Sequence, residues 1–371
     1  MAGKDDPTLR SDTRLVTSGR SGAFAEAVVN PPVWRASTHL YPDCAALRAR
    51  KSDNRDGQFF YGRRGSPTQW ALSEALTALE PGAAGTVLYP SGLAALSAAL
   101  LAVLRSGDVL LVADNAYDPT RSVATGLLKG FGIEHRFFDP LDLEAYEAAF
   151  CDRTRAVMLE VPGSLTMEVC DIPALARIAR EKGAVSLVDN TWATALGFPA
   201  LERGCDIAIT ALTKHVGGHS DVMMGAASAG ERWYRRLRLG AQQLGHVVSP
   251  DDAALVLRGL RTMSVRLERE TASALAIAGW LAEREEVAHV LSPLLPGTPG
   301  HALWQRDFNG GCGLFSFVLR GGDDAARCRL VDRLDLFGIG YSWGGFESLA
   351  LPFDVEPVRS QMAWPKPDWG V

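Results

Sequence analysis

Several things are scarce in this 371-residue chain, and each scarcity removes a class of function. Positive charge is not in excess. Lys and Arg number 38 against 43 Asp and Glu, a net charge of −5, so the chain offers no basic footprint for nucleic acid. Cysteine is sparse and scattered: Cys44, Cys151, Cys170, Cys205, Cys312 and Cys328 form no CxxC and no Cys/His ligand spacing. That excludes a disulfide framework or a zinc site and makes reduced, cytoplasmic thiols the expectation. Long apolar runs are missing. The longest, Leu93 to Leu104, is too short to span a bilayer, and the N-terminal MAGKDDPTLRSDTRLV lacks the apolar segment of a signal peptide. Nucleotide fingerprints are missing too. No GxxxxGK[ST] occurs, and in GIGYSWGG (338–345) Trp343 stands where a dinucleotide turn needs its third glycine. What remains is a soluble globular chain, 47% hydrophobic and long enough for two domains and an arm.

Residues 1–65 read as the arm. Polar residues dominate, Pro31-Pro32 forces extended backbone, and SDNRDGQ is a turn-rich link. Such an arm has little apolar surface of its own to bury and is expected to lie on another surface, such as a second subunit. It ends in FFYGRRGSPT, where Tyr61, Arg63 and Arg64 are either a solvated loop or a clamp for a phosphate or carboxylate, which guanidinium forks match bidentately. Composition alone favours the loop slightly. Ser66, Pro67 and Gln69 spell a helix start, with Leu72, Leu76 and Leu79 at helical spacing behind it.

From there strands and helices alternate. Apolar strand-like runs at 86–89, 109–113, 135–138, 156–161 and 184–188 are separated by helical stretches such as 92–105, 141–150 and 172–182. That rhythm implies crossover units and a mainly parallel sheet covered on both faces, with ligands at the carboxyl ends of the strands. Helical patterns at 232–244 and 251–284 follow, the second read as one long linking helix. A smaller α/β unit comes next, with runs at 287–291 and 313–319, a helix across 324–334 and a run at 338–343. The expected division is therefore an arm over 1–65, a large domain over 66–250 and a smaller C-terminal domain over 251–371.

The chemistry concentrates in DIAITALTKHVGGHSDVMMG (206–225). A short apolar run delivers Thr213-Lys214 onto a small-residue turn, a poor place to solvate an ammonium and a good one to lower its pKa from about 10.4. VSLVDNT offers Asp189 from a neighbouring strand end. A Schiff-base lysine and a carboxylate for a pyridinium nitrogen are the two protein groups that pyridoxal phosphate requires, so the pair points to that cofactor. In YPSGLAAL, Ser91 and Gly92 form a strand-to-helix turn whose free N–H groups suit a phosphate. Tyr117, at the end of another strand, either packs or stacks on a planar ring. Tyr341, Ser342 and Trp343 precede two glycines and read as a loop closing on substrate. His215 and His219 are separated by Gly-Gly, which argues against a helical metal face, and Cys205 has no arranged base.

Taken in order, the segments FFYGRRGSPT, YPSGLAAL, DNAYDP, EVPGSLTMEV, LVDNTWA, ALTKHVGGHSDVMMG, LRGLRTMSVRL and YSWGGFESL, spanning about residues 12–353, resemble the Cys/Met-metabolism family of pyridoxal-phosphate enzymes, on its cystathionine β-lyase side. The resemblance implies the type I fold of such enzymes, with a large domain built on a mainly parallel sheet plus a smaller α/β domain, and a tetramer made of two catalytic dimers. It implies that Lys214 carries the cofactor, Asp189 meets the pyridine nitrogen and Tyr117 stacks on the ring. The Gly92 and Leu93 N–H groups, Ser91 and the Thr213 hydroxyl would hold the phosphate. Tyr61 and Arg63 would reach that phosphate from the neighbouring subunit, overturning the bland loop, and Ser342, Trp343 and Tyr341 would lie on the substrate side.

Two departures stand out. Ala211, three before the lysine, is often serine in relatives. The family continues past its tryptophan- and proline-rich end with an RLHIGLE-like strand whose arginine binds the substrate carboxylate. This chain stops at WPKPDWGV with no such arginine, so either the C-terminal domain is cut short or that carboxylate is held otherwise, and no ligand is assigned to it. The expected reaction is β-elimination from an amino-acid substrate, L-cystathionine. The alternatives are γ-elimination or γ-replacement on the same cofactor, or a non-catalytic binding protein on this fold.

Overall fold

A computed structural model describes residues 9–20, 28–49, 56–362 and 369–370. The main sheet has seven strands: β1 Gly85–Tyr89, β2 Val109–Ala113, β3 Glu134–Phe138, β4 Thr154–Glu160, β5 Val185–Asp189, β6 Ile207–Ala211 and β7 Gly225–Ala229. Their spatial order is β1-β7-β6-β5-β4-β2-β3. The run from β6 to β3 is parallel throughout, and β7 runs antiparallel to both of its neighbours. The sheet is thus mainly parallel, as the alternating pattern predicts, and the carboxyl ends of β1, β2, β4, β5 and β6 share one edge with the start of β7.

Both faces of the sheet are covered, and strand β2 shows how. Val109, Leu111 and Ala113 enter one hydrophobic cluster while Leu110 and Val112 enter another, the two-residue period of a strand buried on both sides. The crossover helices start where side chains supply the missing acceptors. Asp142 accepts the N–H groups of Glu144 and Ala145, and Asp171 accepts that of Ala174. Helix Pro67–Leu79 begins as expected, with Gln69 Oε1 reaching back to the Ser66 N–H at 3.0 Å.

A second sheet is antiparallel, in the order β10-β9-β8: β8 Val287–Leu291, β9 Ser316–Arg320 and β10 Trp369–Gly370. It lies after the helical region, and β8 and β9 overlap the runs expected at 287–291 and 313–319. Helix His301–Asp307, which no sequence signal marked, sits between β8 and β9.

Three expectations are corrected. The single helix over 251–284 is two, Pro250–Leu260 and Met263–Ala282, turned at Arg261-Thr262. Gly259 lies so close to the Val216 and Gly217 carbonyls that any Cβ there would collide, and the Thr262 hydroxyl takes the Gly259 carbonyl; periodicity registers neither. The run 338–343 is not a strand. Only an isolated bridge, Gly338 to Leu349, forms there, because Ser342 stands at φ 120°, off the extended region.

The arm does bury apolar surface, and on its own chain. Leu15 is 1% exposed and belongs to the main core cluster, a contribution of about 2 kcal/mol for one leucine. Further along, the Trp34 N–H donates to Thr68 Oγ1 at 2.8 Å, and the Thr68 hydroxyl donates to the Pro32 carbonyl at 3.0 Å. Most of the SDNRDGQ link, residues 52–55, and most of the tail after Met362 lie outside the described residues.

Candidate active site

The site assembles from strand ends. Strand β6 stops at Ala211, and the turn that follows presents Lys214, whose amine donates to the Ser342 hydroxyl at 2.8 Å and lies 5.0 Å from the centre of the Trp343 ring. Burial lowers the Lys214 pKa, and the negative charges of Asp189 and Glu347 hold it up in part. One strand over, Asp189 ends β5. Burial raises its pKa, opposed by the Thr191 hydroxyl and N–H (2.9 Å), which both bond Oδ1, and by Lys214. Amine and carboxylate are therefore brought within electrostatic reach of each other, as the sequence pattern implied.

A strand-to-helix turn lies beside them. Ser91 caps helix Gly92–Val103 by accepting the Ala94 N–H at 3.1 Å, and the first-turn N–H groups of a helix have no intrahelical partner. This turn is pressed against the lysine strand: a Cβ on Gly92 would lie 2.7 Å from the Ala211 Cβ, and one on Gly225 would meet the Ser91 carbonyl. Glycine at 92 and a small residue at 211 are thus demanded by one contact. The Thr213 hydroxyl accepts the Met224 N–H at 3.0 Å and lies 3.2 Å from the Met224 carbonyl, fixing the turn that carries the lysine.

Tyr117, on the loop after β2, is 50% exposed, and its N–H donates to Glu160 Oε2 at 2.6 Å. Burial and the charges of Glu160, Asp189 and Asp118 push its phenol pKa up, so the ring is neutral near the site. Ser342 and Trp343 join the cluster; Tyr341, 95% exposed, sits at its outer rim. Tyr61 and Arg63 do not join it. Among the described residues they make no contact with the Lys214 group; Arg63 donates to the Gln242 carbonyl at 3.0 Å and Tyr61 is 44% exposed.

Sequence reasoning missed three participants. Glu160 ends β4 directly in register with Asp189, and burial next to that second carboxylate raises its pKa well above the ordinary value. Its signal was the one used for Asp189, a carboxylate at the carboxyl end of an apolar run. Thr191, two residues past Asp189, also accepts the Ala211 N–H at 2.9 Å. Glu347 was legible only as an acid in YSWGGFES.

These residues suit pyridoxal phosphate: an amine and a carboxylate on adjoining strand ends, an aromatic residue after a third, and a helix start whose Gly92 packs directly against the lysine strand. The fold is the type I fold of pyridoxal-phosphate enzymes. The chain belongs to the Cys/Met metabolism family of PLP-dependent enzymes, whose family model matches residues 12–356.

Similarity within the family is high. The chain is 47% identical to a putative cystathionine beta-lyase of Rhizobium johnstonii, over 92% of this chain and 85% of that protein. It is 40% identical to the cystathionine beta-lyase of Escherichia coli, over 94% of this chain and 90% of that one. Among solved structures it superposes on a cystathionine gamma synthase of Xanthomonas oryzae pv. oryzae with a TM-score of 0.85 and 33% identity, covering 92% of this chain and 86% of that chain. The cofactor is pyridoxal phosphate.

Proposed function

We propose that the chain catalyses β-elimination of L-cystathionine, which with water gives homocysteine, pyruvate and ammonia. The observation that carries this reading is the Lys214–Asp189 pair, set on adjoining strand ends of a family whose chemistry is pyridoxal-phosphate dependent. The bound cofactor supplies an electron sink for the charge left when the Cα proton is removed. Lys214 would anchor the cofactor, and its amine is the base placed to take the Cα proton. Burial lowers its pKa from that of a free lysine, which favours the neutral amine that such a base needs. Asp189 would meet the ring nitrogen and help hold its proton, and Thr191 fixes Asp189 in place. Tyr117 would lie against the ring. The N–H groups of Gly92 and Leu93, with Ser91 and Thr213, receive the phosphate, and Ser342, Trp343 and Tyr341 border the substrate.

Tyr61 and Arg63 serve the site of a second copy of the chain, a reading supported by their exposure and their lack of contact with their own Lys214. The assembly is accordingly a homo-oligomer with shared sites, a tetramer of two catalytic dimers. The chain divides into the arm, the large domain to residue 250 and the smaller unit beyond it. No helix among the described residues is long and apolar enough to cross a membrane, and together with the free thiols of all six cysteines this supports a place in the cytoplasm. Identity to relatives named beta-lyases exceeds that to the gamma synthase structure, which favours β- over γ-chemistry. The product from L-cystathionine tests it: pyruvate is expected, and 2-oxobutyrate in its place would transfer the assignment to the γ-reaction.

A further inference from the structure

Two loops distant in sequence close on each other over the Lys214 amine. From the first, Lys214 reaches Ser342 at 2.8 Å and the His215 ring meets that of Trp343 at 5.2 Å. The second needs both of its glycines for this approach. A Cβ on Gly344 (φ +80°) would come within 2.9 Å of the His215 backbone nitrogen, and one on Gly345 would run into Ser220 Oγ and the Glu347 carboxylate. The last point of contact is Ser220 itself. Its hydroxyl lies within hydrogen-bond distance of both carboxylate oxygens of Glu347, and its backbone adopts φ +56°, an uncommon conformation for a residue with a Cβ. Ser342 is also in a strained region, at φ 120°. Strain of this kind persists only where the surroundings over-determine it, and the two loops over-determine each other.

We propose that Glu347 is a positioning residue of the active site: clasped by the Ser220 hydroxyl, it clamps the 341–347 loop onto the lysine loop and sets Ser342 against the Lys214 amine. The His215–Trp343 contact closes the middle of the interface, and the Glu347–Ser220 contact closes its end. Without that end contact the loop is left to Ser342, Trp343 and the Gly344 approach to His215, and the substrate-side hydroxyl loses its fixed distance from the amine. This inference rests on the reading of Lys214 as the cofactor lysine.

The test compares wild type with Ser220→Ala, Glu347→Gln and the double variant, each loaded with pyridoxal phosphate. Both single variants should keep the cofactor absorbance and raise KM for L-cystathionine about tenfold with a smaller change in kcat, as expected for losing one charge-assisted hydrogen bond. The double variant should be no worse than the worse single, since both break the same contact. Amide hydrogen exchange across 338–348 should quicken in the variants, with cofactor bound or not. Wild-type KM and exchange in the singles, or losses that add in the double, would overturn the clamp. Lys214→Ala serves as the separate control: if it retained the cofactor absorbance, the site reading itself would fall, whereas its loss alongside wild-type behaviour of the other variants would sink the clamp alone.

Discussion

The Thr191 hydroxyl donates to Asp189 Oδ1 while accepting the Ala211 N–H at 2.9 Å, so one side chain links the carboxylate strand to the lysine strand three residues before Lys214. Thr191→Val keeps the shape and deletes both bonds. Burial already raises the Asp189 pKa, and removing a donor raises it further, leaving less carboxylate to face the ring nitrogen. Turnover and cofactor affinity should each fall about tenfold, from the loss of a hydrogen bond to a charged group. Thr191→Ser, which restores the hydroxyl, should recover most of both; cofactor titration and steady-state rates decide it.

Lys214→Ala should abolish both the absorbance of the bound cofactor and pyruvate formation, because no other lysine stands at the strand edge beside Asp189 among the described residues. Asp189→Ala should still load cofactor through the phosphate seat while losing about a hundredfold or more in kcat, the scale of removing one preorganised charge partner. Near-normal turnover in that variant would remove Asp189 from its role.

Asp114 is fully buried at the end of β2, paired with Arg121 at 2.8 Å. Its carboxylate accepts the N–H groups of Ser360, Gln361 and Met362, the closest at 2.8 Å. Burial pushes its pKa up, but these donors prevail and hold it down at about 2. The stability it contributes is therefore present above the ordinary carboxylate pKa and is lost as pH falls toward 2. Asp114→Asn leaves Arg121 without its counter-charge and should cost about 3 kcal/mol at neutral pH, read by urea unfolding. Faster amide exchange at 360–362 should accompany it.

Legibility in the sequence followed periodicity. The strand ends before Ser91, Tyr117, Asp189 and Lys214 were read correctly because buried strands are short apolar runs with abrupt polar ends. The break at Arg261-Thr262 was not legible, since its cause is the approach of Gly259 to the lysine loop, a contact between residues about 40 positions apart. Leu15 was hidden for the same reason: a single leucine in a polar stretch looks exposed until helix Pro67–Leu79 is set beside it. Glu160 and Thr191 were visible as residue types at strand ends, but their roles depend on how β5 sits against β4 and β6 respectively, which no single segment encodes.

Glu80 offers a clean pH test away from the chemistry. It is 3% exposed, accepts the Leu201 N–H at 3.0 Å, and burial raises its pKa to about 7. Below about pH 4.5 the side chain is protonated in both folded and unfolded chains and has no effect on the balance. Between there and pH 7 the unfolded chain releases its proton while the folded one keeps it, so rising pH favours unfolding. Above pH 7 both are ionised and the penalty stays constant. Glu80→Gln removes the titration while keeping an acceptor for Leu201. Its gain over wild type should be near zero at pH 4.5 and reach about 3 kcal/mol by pH 8, the linkage value of the shift. Urea unfolding of both proteins at several pH values between these limits measures it, and stability curves that stay parallel across the range would show that Glu80 is ionised in the fold.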